Sequence, residues 1–132
     1  MSVFAAVGAQ PFFDRLVEHF YERVAHDEVL LPLYPDPADL TPARERLALF
    51  LGQYWGGPST YSQRRGHPRL RMRHGRFPIG EDERDRWLEA MGTALEQTMA
   101  ESDLDPDISA EVDQRMREYF AMAAGHLVNR PG

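Results

Sequence analysis

Five histidines, His19, His26, His67, His74 and His126, are the first residues of this 132-residue chain that could carry chemistry. His19 lies beside the apolar stripe of a predicted helix and reads as a rim residue. His26 stands at a helix end next to Asp27, where a cation suits the negative helix terminus. His126 borders the stripe of the last helix. His67 and His74 differ from these three, because both sit within a block of arginines. A second group consists of Tyr21, Tyr34 and Trp87, whose hydroxyls and indole N–H need partners when buried. Three such donors could converge on one small acceptor. Taken singly, each also reads as a core aromatic with a backbone partner. The sequence contains no HExxH pair, carboxylate dyad, glycine-rich phosphate loop or nucleophile elbow, so hydrolytic and phosphoryl-transfer chemistry lack visible machinery.

Charge narrows the classes further. The chain has a formal charge of −6, which repels nucleic acid and anionic membrane overall. Between Arg64 and Arg76 the balance reverses. Arg64, Arg65, Arg69, Arg71, Arg73 and Arg76 accompany the two histidines, with no acid among them. Such a block calls for an anionic counterpart: an internal carboxylate, a phosphate or the propionates of a cofactor. Hydrophobic residues make up 42% and aromatics 11%, enough for a packed core. The absence of cysteine removes disulfides, thiolate metal sites and iron–sulfur clusters together. No apolar run approaches the roughly 20 residues of a membrane span, and the first residues do not read as an export signal. A cytoplasmic protein of one domain, residues 1–132, is expected.

The elements that must hold these residues are helical. Pro11 suits a first helical turn, and Phe12, Leu16, Phe20 and Val24 then recur every four residues, widened by Phe13 and Val17. A short segment from Asp27 to Tyr34 follows, broken by Pro32, Pro35 and Pro37. Thr41 before Pro42 predicts a capped helix start, and Ala43, Leu47, Phe50, Leu51 and Tyr54 mark one face up to Gly56-Gly57-Pro58. Residues from Ser59 to Pro78 read as a loop too long to lack a job. A helix from about Glu81 to Met99 carries Trp87, Leu88, Met91, Leu95 and Met99. Asp105-Pro106 opens the last, with Ile108, Val112, Met116, Phe120, Ala123 and Leu127. Nothing alternates at period two over a strand's length. The class is all-α, and periodicity alone leaves a four-helix domain of two antiparallel pairs with a long loop.

The run Phe50-Leu51-Gly52-Gln53-Tyr54-Trp55-Gly56-Gly57-Pro58, then Tyr61-Ser62 and Arg65-Gly66-His67-Pro68-Arg69-Leu70-Arg71-Met72-Arg73-His74, resembles group II truncated haemoglobins. The likeness is greatest to the actinobacterial oxygen-binding ones, and it extends from Phe4 to Asn129. It implies a truncated globin fold, a two-over-two helical sandwich around haem b. His74 matches the proximal iron ligand. Tyr21, Tyr34 and Trp87 match the distal donors of that family. Ala43 falls where many globins have a distal histidine, and Leu47 would wall the distal pocket with Phe50. Arg46, Tyr61, Arg71 and Arg73 become candidates to bind the two propionates, with His67 beside them. One departure stands near the N-terminus, where the family has a glycine pair and this chain has Gly8-Ala9.

The resemblance further implies reversible binding of O2, CO and NO. A hydrogen bond to a charged acceptor contributes about 1.5–3 kcal/mol, so two donors acting together would contribute roughly 3–6 kcal/mol. At a factor of ten per 1.4 kcal/mol, O2 release would slow by about a hundred- to ten-thousand-fold. That suits oxidation of NO to nitrate or peroxide chemistry, served by a reductase, better than oxygen transport. Haem-based binding or sensing without turnover is the alternative. A remoter one is an anion- or nucleic-acid-binding module built on Arg64–Arg76. A monomer or homodimer is expected.

Overall fold

Helix α2 (Gln10–Ala25) organises the structure, a computed structural model that describes residues 2–65 and 80–127. Its four-residue repeat does what the spacing predicts, since Phe13, Leu16, Val17, Phe20 and Val24 are completely buried. Each such side chain contributes roughly 1.5–3 kcal/mol on leaving water. Because Phe12 and Tyr21 are buried as well, the stripe is broad enough to meet two neighbours. One is α3 (Thr41–Tyr54), which contributes Ala48, Phe50 and Leu51; the other is α5 (Glu81–Glu101), which contributes Met91, Ala94 and Leu95. A four-residue connection then brings α6 (Pro106–Leu127) against α5, and Val112, Met116 and Phe120 complete the core. The pairs α2–α3 and α5–α6 are the two layers that the periodicity predicts. Among the described residues there is no strand, and no helix is long and apolar enough to cross a membrane.

Shorter elements bind the layers together. Helix α1 (Val3–Ala6) starts at Ser2, whose hydroxyl accepts the N–H of Ala5 at 3.1 Å. A 3-10 turn at Leu31–Leu33 bridges α2 and α3, and its neighbour Leu30 is fully buried. The region expected to be loop from Ser59 begins instead with α4 (Thr60–Arg65). Two other expectations change. Thr41 is the first helical residue of α3 rather than its cap, and the Asp39 carboxylate accepts its N–H at 3.1 Å. Tyr54 ends the apolar face of α3 but is 48% exposed, because it stacks on Tyr119 at 4.1 Å from outside the core.

The junction of α1 and α2 carries strain. Gly8 and Ala9 have φ of +92° and +70°, and Ala9 combines this with ψ of −152°, a region nearly reserved for glycine. Ala9 thus occupies the second half of the glycine pair that the resemblance implied. A side chain there costs about 1–3 kcal/mol. Glycine would offset part of the gain by about 0.4–1 kcal/mol through its freer unfolded chain. Ala9→Gly is therefore expected to raise stability by about 1 kcal/mol and Tm by a few degrees in a thermal melt. An unchanged or lower Tm would place the strain elsewhere.

Candidate functional site

Phe20, at the centre of α2, is the hub from which the three donors are arranged. Its ring meets Tyr21 at 5.0 Å and Trp87 of α5 at 5.3 Å, both edge-on. Trp87 also lies 5.7 Å from Phe120 of α6, so its indole is held between α2 and α6. Tyr34 follows the 3-10 turn and packs edge-on against Tyr21 at 5.5 Å. Sequence positions 21, 34 and 87 thus meet in one place.

The hydroxyls interact in a definite order. Burial pushes the Tyr21 phenol up to about 12, against the lowering effect of a hydrogen bond from Tyr34 and of the Arg46 charge. Burial likewise pushes Tyr34 well above the ordinary phenol value. Its nearness to Tyr21 and the proton it shares with that residue add to the rise, and only Trp87 lowers it. Indole N–H can donate but not accept. The lowering of Tyr34 by Trp87 and of Tyr21 by Tyr34 accords with an order from Trp87 N–H to the Tyr34 oxygen and from Tyr34 O–H to the Tyr21 oxygen. In that order the hydroxyl hydrogen of Tyr21 has no acceptor among the three residues. The arrangement offers one polarised donor, protonated at neutral pH, in apolar surroundings.

Around the donors the apolar cover is incomplete. Ala43 and Leu47 of α3, with Leu88 of α5 and Ala123 of α6, pack against the core while remaining half exposed. Phe50 is buried, with Tyr61 of α4 edge-on to it at 5.4 Å and also buried. Half-exposed apolar side chains on α3, α5 and α6, together with polar donors on α2 and α5, suit a flat apolar cofactor with a small polar ligand. Arg46, half buried, directs its charge toward Tyr21, a role that its assignment to a propionate does not include. His67, Arg71, Arg73 and His74 lie outside the described residues.

The other histidines divide differently from the sequence reading. His26 ends α2 as expected, its Nδ1 facing the Glu22 carbonyl at 2.8 Å. His19 is buried rather than on the rim, and its Nε2 pairs with Glu101 at the end of α5. The broad burial of α2 draws it in, and Arg15 and His19 together hold the Glu101 carboxyl below its usual range. Sequence reasoning also missed a pair beside the donors, Asp27 with Arg86, 59 positions apart. Its one visible signal was the place of Arg86 directly before Trp87.

The model of the bacterial-like globin family matches residues 2–122. A group 2 truncated hemoglobin of Bacillus subtilis is 35% identical over 127 residues, which is 96% of this chain and 88% of that one. Among solved structures, a thermostable hemoglobin from the actinobacterium Thermobifida fusca is 51% identical over the whole of both chains, with a TM-score of 0.89. The group II truncated hemoglobin of Bacillus anthracis is 34% identical over 100% of this chain and 94% of that one, with a TM-score of 0.87. With this match over nearly its whole length, the chain belongs to the group II truncated haemoglobins, a family that uses haem.

Proposed function

We propose that this chain binds haem b through His74 and holds O2, CO or NO with slow release, the Tyr21 hydroxyl acting as the donor to the ligand. The meeting of Tyr21, Tyr34 and Trp87 around Phe20 is the observation that carries this reading, and the raised phenols of Tyr21 and Tyr34 accord with it. Haem, when bound, supplies ferrous iron as the seat of the diatomic ligand. The chain's own contribution is to orient a proton toward that ligand and to keep water away with Phe20, Leu47 and Phe50. Arg46, Tyr61, Arg71 and Arg73, with His67, are the residues proposed to meet the propionates, and Ala43 leaves space where a distal histidine would stand. O2 held in this way is consumed in place, oxidising NO to nitrate or serving peroxide chemistry, with a reductase returning the electron.

The dithionite-reduced protein is expected to show a strong Soret band that shifts on adding CO and is lost in His74→Ala. No Soret band after haem addition would discard the reading and leave the Arg64–Arg76 block as an anion or nucleic-acid contact, visible as steep salt dependence.

Stopped-flow O2 release tests the donors. Tyr21→Phe is expected to speed release by about ten- to a hundredfold, the worth of a hydrogen bond to a charged acceptor. Trp87→Phe, acting through Tyr34, is expected to speed it by about two- to tenfold, as a neutral hydrogen bond would. Unaltered rates would remove the donor role. In the wild type, release stays flat from about pH 7 to about pH 9, because both phenols keep their protons past the ordinary value near 10. As pH rises toward 12, ionisation removes the donor and buries a charge. Release then quickens while the folded state weakens, which is the sign required of a raised phenol pKa.

Mixing the O2-loaded protein with NO is expected to convert it to the ferric form within milliseconds, with repeated turnover once a reductase is supplied. A stoichiometric reaction without regeneration would instead favour haem-based binding or sensing.

A further inference from the structure

An ion pair ties the turn that leads to Tyr34 to the helix that carries Trp87. Asp27 lies six residues after Tyr21 and seven before Tyr34, in the turn that leads from α2 toward the 3-10 segment. Its Oδ1 accepts the N–H of Val29 at 2.8 Å and of Leu30 at 2.9 Å, which folds that turn and seats the buried Leu30. The same oxygen faces Nη1 of Arg86 at 3.4 Å, and Arg86 precedes Trp87 on α5. Asp82, one turn back on α5, holds the other side of the guanidinium at 3.7 Å. Burial pushes the Asp27 carboxyl up, but the two backbone donors and Arg86 outweigh it and hold it below the usual carboxylate range. Asp27 therefore stays charged at neutral pH.

We infer that Asp27 and Arg86 are positioning residues for the distal donors, setting the separation between the Trp87 N–H and the Tyr34 hydroxyl and through it the rate at which a diatomic ligand leaves. The geometry joins the turn that delivers Tyr34 to the helix that delivers Trp87. Among the described residues no backbone hydrogen bond joins those two segments, so side chains set their spacing. The Arg86 side chain is 42% exposed and that of Asp27 21%, so the tie is accessible to salt. An ion pair of this exposure acts gently, and its loss is worth a change of about two- to fivefold. The inference rests on the donor reading proposed above.

The test compares wild type, Arg86→Ala, Arg86→Lys, Trp87→Phe and the Arg86→Ala/Trp87→Phe double variant, all haem-loaded. Two readouts are taken, the ligand off-rate at about 0.02 M and about 0.5 M salt and the infrared stretching band of bound CO. Arg86→Ala is expected to speed release about two- to fivefold and to shift the CO band. Salt should speed release in wild type and leave Arg86→Ala unchanged, with Arg86→Lys recovering part of the wild-type rate and its salt response. In the Trp87→Phe background Arg86→Ala should add nothing, as coupled positions behave in a double-mutant cycle. A wild-type rate and band in Arg86→Ala, or an equal effect in both backgrounds, would overturn the positioning role while leaving the donors intact. Unchanged release in Trp87→Phe would overturn the donor reading itself, and the positioning role with it.

Discussion

Polar groups removed from water must be hydrogen-bonded, and an unmet buried hydroxyl costs about 1–3 kcal/mol. Tyr21, Tyr34 and Trp87 meet in one place, where each can serve the needs of another. Indole can only donate, so it fixes the direction of the sequence, and each hydroxyl passes its proton one step on. A set closed in both directions would stabilise the fold and do nothing else. Because this one begins at a group without acceptor capacity, it ends in a donor that has yet to be used.

Holding that order requires rigid supports on three separate segments, and α2 provides the common reference. Its five completely buried side chains fix it against both α3 and α5, so Phe20 can touch Tyr21 and Trp87 together. Phe120 backs Trp87 from α6. Interiors packed to this density transmit small shifts, since side chains have few alternative rotamers to relax into. The placement of a single indole nitrogen is therefore a property of three helices and the turn at Asp27.

Much of this was legible in the sequence because the core follows period 3.6. Phe12, Phe13, Leu16, Val17, Phe20 and Val24 were all named by spacing and are all buried. Spacing failed where a side chain's partner lies far along the chain. His19 looked like a rim residue because it lies beside the apolar stripe of α2, yet it is buried and pairs with Glu101 of α5. Tyr54 fitted the stripe of α3, but its ring continues outward onto Tyr119. Tyr21, Tyr34 and Trp87 were visible as candidates and as family matches, whereas their order depends on which oxygen faces which hydrogen. The closeness of Arg46 to Tyr21 and of Asp27 to Arg86 had no periodic signature at all.

The approach of the chain to the arginine block is constrained just as closely, by backbone fit instead of polarity. Gly56 has φ of +111°, and a Cβ at Gly57 would collide with the Phe4 ring and the Gly52 carbonyl oxygen. Phe4 N–H donates to the Trp55 carbonyl at 2.9 Å, which pins α1 across the end of α3. On the far side of the turn Gln53 reaches α4 twice, donating to the Ser62 hydroxyl at 2.7 Å and accepting the Ser62 N–H at 3.0 Å. The direction in which α4 leaves α3 is thus set by two glycines and one glutamine. A side chain at Gly57 would displace Phe4 and release α1, and it would alter the heading of α4 toward residue 66. The glycine turn closes α3 and the aromatic hub centres on α2, so both are built on the same layer. One sets how α4 leaves α3, and the other sets where Tyr21, Tyr34 and Trp87 meet.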